Sequence, residues 1–189
     1  MRLFLSSCLL IAFSAGPSLA QMAEDPGGWT KAKWGMTLAE LQQAFPRAVV
    51  YNKRQSGPVL NIPDDEIDGQ RVHVSFEVGA EGLRRVLIEP DERSPTDPNL
   101  DTPPPTVARI GQILLLAGLK DQFGDPAEVT TEPSFDETGQ VTRTWRWGFP
   151  GTTVFLVRKS HADPAYQDLD RTYLVYEKRG TGSLTVAAQ

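Results

Sequence analysis

The sequence predicts an α+β fold built from two tandem repeats, each with one helix followed by an antiparallel sheet, with the helices packed on one face of the sheet. Three observations lead to this prediction. The pattern Leu-Ala-x-Leu-x-x-x-Phe occurs over residues 38–45 and again over residues 116–123, with the spacing of one helix face. After each occurrence, apolar and polar residues begin to alternate, as is typical of half-buried strands. A proline-rich stretch separates the two halves.

The first 20 residues are typical of a signal peptide. Arg2 precedes an apolar stretch over residues 3–13. Ser18 and Ala20 are small residues at the two positions before the cleavage site that a signal peptidase recognises. The stretch is too short for a membrane span, so we expect cleavage after Ala20 and a periplasmic or secreted protein. The alternative is a lipobox ending at Cys8. Cleavage there leaves only residues 3–5 as the apolar region, whereas signal segments have about 7 to 15 apolar residues.

The mature chain is expected to be acidic and free of cysteine. Cys8 is the only cysteine in the sequence, so the mature part has no disulfide framework. The formal net charge of the whole chain is −5, and loss of Arg2 makes it more acidic. An acidic surface argues against nucleic acid or an anionic membrane as a partner. No later stretch is apolar for long enough to predict a transmembrane helix.

The first repeat is predicted over residues 29–89, after a flexible lead-in over residues 21–28. It opens with a short helical turn over residues 29–34. Thr37 and Glu40 then form a Thr-x-x-Glu capping box, which predicts the start of a helix. Leu38, Leu41 and Phe45 share one face of this helix, and Pro46 ends it.

Antiparallel strands follow this helix. Residues 71–78 alternate between polar and apolar, which predicts a strand with one buried face. Residues 79–82 form a turn, and residues 83–89 return as the partner strand. Shorter strands are predicted over residues 48–52 and 59–63.

The second half is predicted to repeat this order. Residues 90–106 form a linker rich in proline and acidic residues, which cannot be a helix or an inner strand. The second repeat covers residues 107–179 and starts with a helix over residues 107–123, with Gly124 just past its end. The predicted strands then cover 127–132, 141–147, 152–158 and 171–179, residues 148–151 form a tight hairpin connection, and a loose tail follows from Gly180.

The start of the first repeat resembles two groups of exported bacterial proteins. Trp29, then the triplet Gly-Met-Thr at residues 35–37, then Leu41 and a later antiparallel meander are similar to the helix start of these modules. One group has the β-lactamase-inhibitor-protein-like fold of two tandem helix-plus-sheet repeats, and the other consists of the BamE/SmpA-type lipoproteins of outer-membrane assembly. The resemblance implies an exported module of tandem α+β architecture.

No pattern in the sequence predicts a catalytic residue, a metal site or a cofactor. His73 and His161 are far apart and are interpreted as ordinary surface histidines. Residues 64–69 resemble the start of a calcium loop, but Ser75 stands where such a loop needs a bidentate Glu. A hairpin connection with residues 68–69 at its corner is therefore favoured.

The most unusual stretch is Thr-Arg-Thr-Trp-Arg-Trp over residues 142–147. If Trp145 and Trp147 fill the core, which is the interpretation we favour, the polar face of the sheet is left as the best surface for a partner. The alternative is that both tryptophans are exposed as a binding hot spot. The residues predicted to contact the partner are Arg71, His73, Glu77, Thr144 and Arg146.

The sequence therefore favours an exported, non-enzymatic protein-binding module that uses a sheet face, with another cell-envelope protein as its partner. The alternatives are a small cell-envelope enzyme of the hydrolase type, with a site assembled from loops, and an accessory protein of outer-membrane assembly.

Overall fold

The computed structural model describes residues 23–53, 57–67, 70–90, 115–134 and 139–180 of the chain. Its strands are β1 (Gly28–Trp29), β2 (Ala32–Lys33), β3 (Val49–Lys53), β4 (Gly57–Ile67), β5 (Gln70–Gly79), β6 (Gly82–Pro90), β7 (Glu128–Pro133), β8 (Gln140–Gly148), β9 (Thr152–His161) and β10 (Arg171–Lys178). Its helices are α1 (Leu38–Ala44), α2 (residues 115–123) and a 3-10 helix over Pro164–Leu169. None of the described helices is long and apolar enough to cross a membrane.

Eight strands form one antiparallel sheet in the order β3-β4-β5-β6-β10-β9-β8-β7. The two halves of the chain meet where β6 pairs with β10, and Leu174 lies opposite Ile88 there. The predicted fold class, two tandem helix-plus-sheet repeats, is therefore wrong, because the protein is a mostly β fold around a single large sheet. A strand edge left unpaired in each half would expose backbone hydrogen-bonding groups, and the β6–β10 ladder satisfies them instead.

One hydrophobic core lies on a single face of this sheet. On β5, Val72, Val74, Phe76 and Val78 are buried, as their alternation predicts. The same core cluster includes Leu156 and Leu174 from the other half, together with Leu41 of α1 and Leu119 of α2. Both helices therefore pack on the same face, and we call the opposite face the open face.

The capping box at the start of α1 is confirmed. The Glu40 N–H donates to the Thr37 hydroxyl at 3.3 Å, and the Thr37 N–H donates to the Glu40 carboxylate at 2.7 Å. Phe45 is the C-cap residue, and its N–H donates to the Leu41 carbonyl at 2.8 Å. The Leu41 side chain is fully buried, so this short helix is held by its contact with the sheet as well as by its caps.

The segment before α1 binds the β5–β6 hairpin through the backbone. The Gly35 N–H donates to the Leu83 carbonyl at 3.0 Å, and the Leu83 N–H donates to the Met36 carbonyl at 2.8 Å. A Cβ atom on Gly82 would lie 2.1 Å from the Gly35 carbonyl oxygen, so this close approach requires glycine.

The predicted helical turn over residues 29–34 is wrong. Trp29 instead pairs with Ala32 in a two-stranded ladder formed by β1 and β2. The turn between them places Thr30 in the left-handed region, with a φ of 49°, which is unusual for a β-branched residue. The Trp29 ring stacks on Phe45 at a centroid distance of 6.2 Å, so the ladder also anchors α1.

The amino-terminal segment is also tied to the β8–β9 hairpin. The Asp25 carboxylate accepts hydrogen bonds from the Gly27 N–H at 2.9 Å, the Thr152 hydroxyl at 2.6 Å and the Gly151 N–H. The Thr152 hydroxyl in turn accepts from the Trp34 indole N–H at 2.8 Å. Burial alone would raise the Asp25 pKa, but the hydrogen bonds from Thr152, Gly27 and Gly151 outweigh it, so the pKa lies below its usual range.

The predicted end of α2 just before Gly124 is confirmed. Gly124 has a φ of 79°, and its N–H donates to the Lys120 carbonyl at 2.8 Å, as in a left-handed C-terminal cap. The Trp147 indole N–H donates to the Gly124 carbonyl at 2.9 Å, which fixes this helix end on β8. Other predictions lie outside the described residues: the signal peptide over residues 1–20, most of the linker, the helix start over residues 107–114 and the tail after Gly180.

Candidate functional site

The five residues predicted to contact a partner all lie on the open face. On β5, Arg71, His73 and Glu77 alternate with the buried core residues. On β8, Thr144 and Arg146 alternate with the buried Trp145 and Trp147. The strand register places both groups on the same side of the sheet, because residues directly opposite each other share a face.

The structure does not bring the five residues into one cluster. Three strands, β6, β10 and β9, separate β5 from β8. With neighbouring strands about 4.8 Å apart, the two groups are about 19 Å from each other. They therefore form two separate parts of one face.

Apolar side chains occupy the middle of the open face, between these two parts. Phe155, Val157 and Val175 form a second buried cluster, and Leu87 and Tyr173 pack against it. These residues were not predicted to contact a partner. The sequence feature that could have indicated their burial is the unbroken apolar run over residues 154–157, which is typical of a strand with apolar contacts on both faces.

A network of charges crosses the open face beside this apolar cluster. Arg85 of β6 lies between two acids, with distances of 3.4 Å to the Glu77 carboxylate and 2.7 Å to the Glu177 carboxylate. Arg84 adds a weaker contact to Glu77 at 3.7 Å. Glu177 is buried, so its carboxylate is largely desolvated, and the Arg85 guanidinium balances its charge. The network holds Glu77 in place, and the cross-strand pairs that build it were not recognised in the sequence.

A groove of about 490 Å³ lies on the open face over β7, β8 and β9. Thr144 and Arg146 line it, and on the neighbouring strand β9 Val157 lies opposite Thr144 and Phe155 lies opposite Arg146. Arg146 pairs with Glu128 of β7 at 3.1 Å, and both side chains are exposed. The remaining lining residues are mainly polar: Thr130, Glu132, Pro133, Ser134, Gln140, Thr142 and Lys159.

The interpretation of Trp145 and Trp147 as core residues is confirmed. Their exposed fractions are 5% and 2%. The Arg143 guanidinium lies 4.9 Å from the ring centroid of Trp145, which is a cation–π contact at the border of the core. The tryptophans therefore support the sheet from its helix side and do not contribute to the open face.

The interpretation of His161 as a surface residue is wrong. It is the last residue of β9, and its ring is buried. Its Nδ1 lies 3.1 Å from the Asp170 carboxylate, which also accepts the His161 backbone N–H at 2.8 Å. A His–Asp pair of this kind can orient a general base. The group at the other ring nitrogen is the Gln140 amide, at 3.4 Å, and an amide is not a nucleophile.

The hairpin interpretation of residues 64–69 is confirmed by the pairing of the strands on either side of residues 68–69. Ile67 lies opposite Gln70, so β4 and β5 pair up to a two-residue connection, which itself lies outside the described residues. Asp65 and Glu66 belong to strand β4 rather than to a loop. Across the described part of the chain, no three His, Cys, Asp or Glu residues are grouped so that they could hold a metal ion.

The open face therefore has a buried apolar middle, with charged and hydroxyl side chains around it. Comparison with protein-family models, with curated proteins and with solved structures gives no match for this chain.

Proposed function

We propose that this chain is an exported, non-enzymatic module that binds another protein of the cell envelope through the open face of its sheet. The observation that carries the proposal is the groove over β7, β8 and β9. It combines an apolar floor with a polar border, which is the usual composition of a protein-binding surface.

Two features of the groove support a protein partner. Phe155 and Val157 line the groove and are already buried among their neighbours, so binding orders few of their side-chain torsions. Arg146 and Lys159 line the groove with charges that can select a partner electrostatically.

The signal-peptide pattern of residues 1–20 supports a partner outside the cytoplasm. An enzyme is supported less well. The described His161–Asp170 pair has an amide and not a hydroxyl or thiol at the other ring nitrogen, so it lacks the nucleophile that a hydrolase of the triad type needs.

Site-specific photo-crosslinking tests the proposal. A benzophenone amino acid at Thr144 is expected to crosslink to one envelope protein in extracts of the source cells. The same probe at Gln42, an exposed residue of α1 on the helix side, serves as the control. Equal labelling from both positions, or none from Thr144, would contradict the use of the open face.

Charge reversal then tests the groove itself, using the partner captured at Thr144. Arg146→Glu is expected to weaken binding about tenfold, because it removes one charge contact and adds a repulsive one. Lys120→Glu is a matched control. Lys120 is similarly exposed and also pairs with a described acid, Asp125, at 2.8 Å, but it lies on α2. Equal weakening by both variants would mean that net charge, and not the groove, decides binding.

A further inference from the structure

The eight-stranded sheet has two border strands, β3 and β7. Among the described strands, β3 pairs with β4 alone and β7 pairs with β8 alone. The outer backbone N–H and C=O groups of a border strand can pair with a strand of another chain, and natural proteins usually prevent this with charges, proline or a covering segment. The proposed binding through the open face uses neither border.

Exposed apolar side chains are concentrated on these two strands. In the described part of the chain, five large apolar side chains are exposed, and three of them belong to the border strands: Val49 at 47%, Tyr51 at 53% and Val129 at 45%. The other two, Tyr166 and Leu169, belong to the 3-10 helix. Apolar residues on a border strand favour its pairing with a further strand, which covers them.

The charges of the two border strands are complementary. β7 contains Glu128 and Glu132, whereas Arg47 precedes β3 and Lys53 ends it. Pairing of β3 with a second β3 would bring two basic segments together, and pairing of β7 with a second β7 would bring two acidic strands together. Pairing of β3 with β7 of another copy brings an acidic strand to a basic one, so charge favours this combination over either symmetric one.

The topology allows such a pair to continue the sheet. All neighbouring strands of the sheet are antiparallel. Because the sheet has eight strands, its two border strands run in opposite directions. β7 of one copy can therefore lie antiparallel to β3 of the next copy, with the helices of both copies on the same face.

The partners of the two strands determine which side chains share a face. Tyr51 lies opposite Val59, and Val59 lies opposite Glu77, so Tyr51 is on the open face. Glu128 lies opposite Arg146 and is on the same face. A continuous sheet with one open face therefore places Tyr51 opposite an even-numbered residue of β7.

The register in which Val50 lies opposite Val129 meets this condition. It covers the exposed Val129 side chain with another apolar residue on the helix side of the sheet. It also brings Glu132 opposite Arg47, just before β3 begins, so that opposite charges meet. Pro133, which has no N–H, then lies beyond the start of β3 and removes no bond from the ladder.

We propose that copies of this chain associate head to tail, with β7 of one copy paired antiparallel to β3 of the next. Each assembly has an unused β3 at one end and an unused β7 at the other, so it adds further copies and does not stop at a dimer. β3 has only five residues, so each contact is small and the association is weak and dependent on concentration. The pairing does not depend on the proposed envelope partner.

Sedimentation velocity of the full mature chain, from about 10 μM to about 1 mM, tests the proposal over the range of weak association constants. We expect a monomer at the lowest concentration, and dimers, trimers and larger species at the highest. A monomer at every concentration, or a dimer that does not grow, overturns the proposal.

Two charge variants each block one border. Tyr51→Glu places a like charge opposite Glu128, and Glu132→Lys places one opposite Arg47. Each variant alone should weaken self-association about tenfold, because an attractive or neutral contact becomes repulsive. Leu169→Glu is the matched control, since it changes a similarly exposed apolar residue away from both borders, and it should assemble like the wild type. Far-UV circular dichroism checks that all three variants fold.

An equimolar mixture of the two blocked variants distinguishes head-to-tail pairing from symmetric pairing. The mixture retains one intact β7 and one intact β3, so it should form a heterodimer that does not grow. A homodimer formed by Glu132→Lys alone would show that β3 pairs with β3, and one formed by Tyr51→Glu alone would show that β7 pairs with β7. Either homodimer, or equal weakening by Leu169→Glu, overturns the proposal.

Discussion

Replacement of Asp25 by Asn tests whether one carboxylate joins the amino-terminal segment to the second half of the sheet. The wild-type carboxylate accepts three hydrogen bonds, and two of the donors, Gly151 and Thr152, are more than 120 positions away in the chain. Asn has a similar shape but only one acceptor oxygen. Its amide nitrogen must therefore face at least one N–H or O–H donor.

The expected loss follows from the number and type of these bonds. A hydrogen bond to a charged group contributes about 1.5–3 kcal/mol, so loss of one such bond lowers the free energy of unfolding by about 2 kcal/mol. For a domain of this size, 2 kcal/mol corresponds to a fall in Tm of about 4–8 °C. Thermal and urea denaturation, followed by circular dichroism at pH 7, measures both quantities.

The pH dependence distinguishes the charge from the shape of the side chain. Because the folded-state pKa of Asp25 is lowered, its contribution is complete above the unfolded-state pKa and is lost as the pH falls through the folded-state value. The difference between wild type and Asp25→Asn should therefore be full at pH 7 and shrink below about pH 4. Glu24→Gln, at the exposed neighbouring residue, should change little at either pH. Equal stability of Asp25→Asn and wild type at pH 7 would refute the reasoning.

Three further variants test the packing by urea denaturation. Leu41→Ala should lower the free energy of unfolding by about 3 kcal/mol, because it empties a fully buried site beneath α1; a loss below about 1 kcal/mol would show that the helix is not held by this contact. Thr37→Ala should cost about 1 kcal/mol through the lost cap, and a neutral result would contradict the capping box. Gly82→Ala should cost about 2 kcal/mol or more, because its Cβ would collide with the Gly35 carbonyl and its φ is +84°. Unchanged stability of Gly82→Ala would mean that the two segments can separate freely.

Local features were predictable from the sequence because their causes lie within a few residues. The capping box needs only Thr37 and Glu40, and the alternation in β5 needs only residues 71–78. The burial of Trp145 and Trp147 follows from the same alternation in β8, since the strand has only one face toward the core. The faces of the five predicted contact residues could therefore be assigned correctly from their positions in the strands.

The assembly of the strands could not be predicted in the same way. The ladder of β6 with β10 joins residues 82–90 to residues 171–178, and no local pattern specifies which edge pairs with which. The helical pattern shared by residues 38–45 and 116–123 was interpreted as a tandem repeat of two separate units, although the strands of both halves form one sheet. The burial of His161 also depends on a distant group, since Asp170 reaches it from beyond the 3-10 helix.

The position of β10 in the middle of the sheet has a consequence for how the chain is made. Eighty residues separate Pro90, at the end of β6, from Arg171, at the start of β10. At synthesis rates of roughly 5–20 residues per second, the start of β10 is synthesised roughly 4–16 s after the end of β6. During this interval a nascent chain presents an open strand edge that can pair with another nascent chain. A polypeptide that ends before Arg171 is thus expected to aggregate rather than to persist as a smaller folded protein.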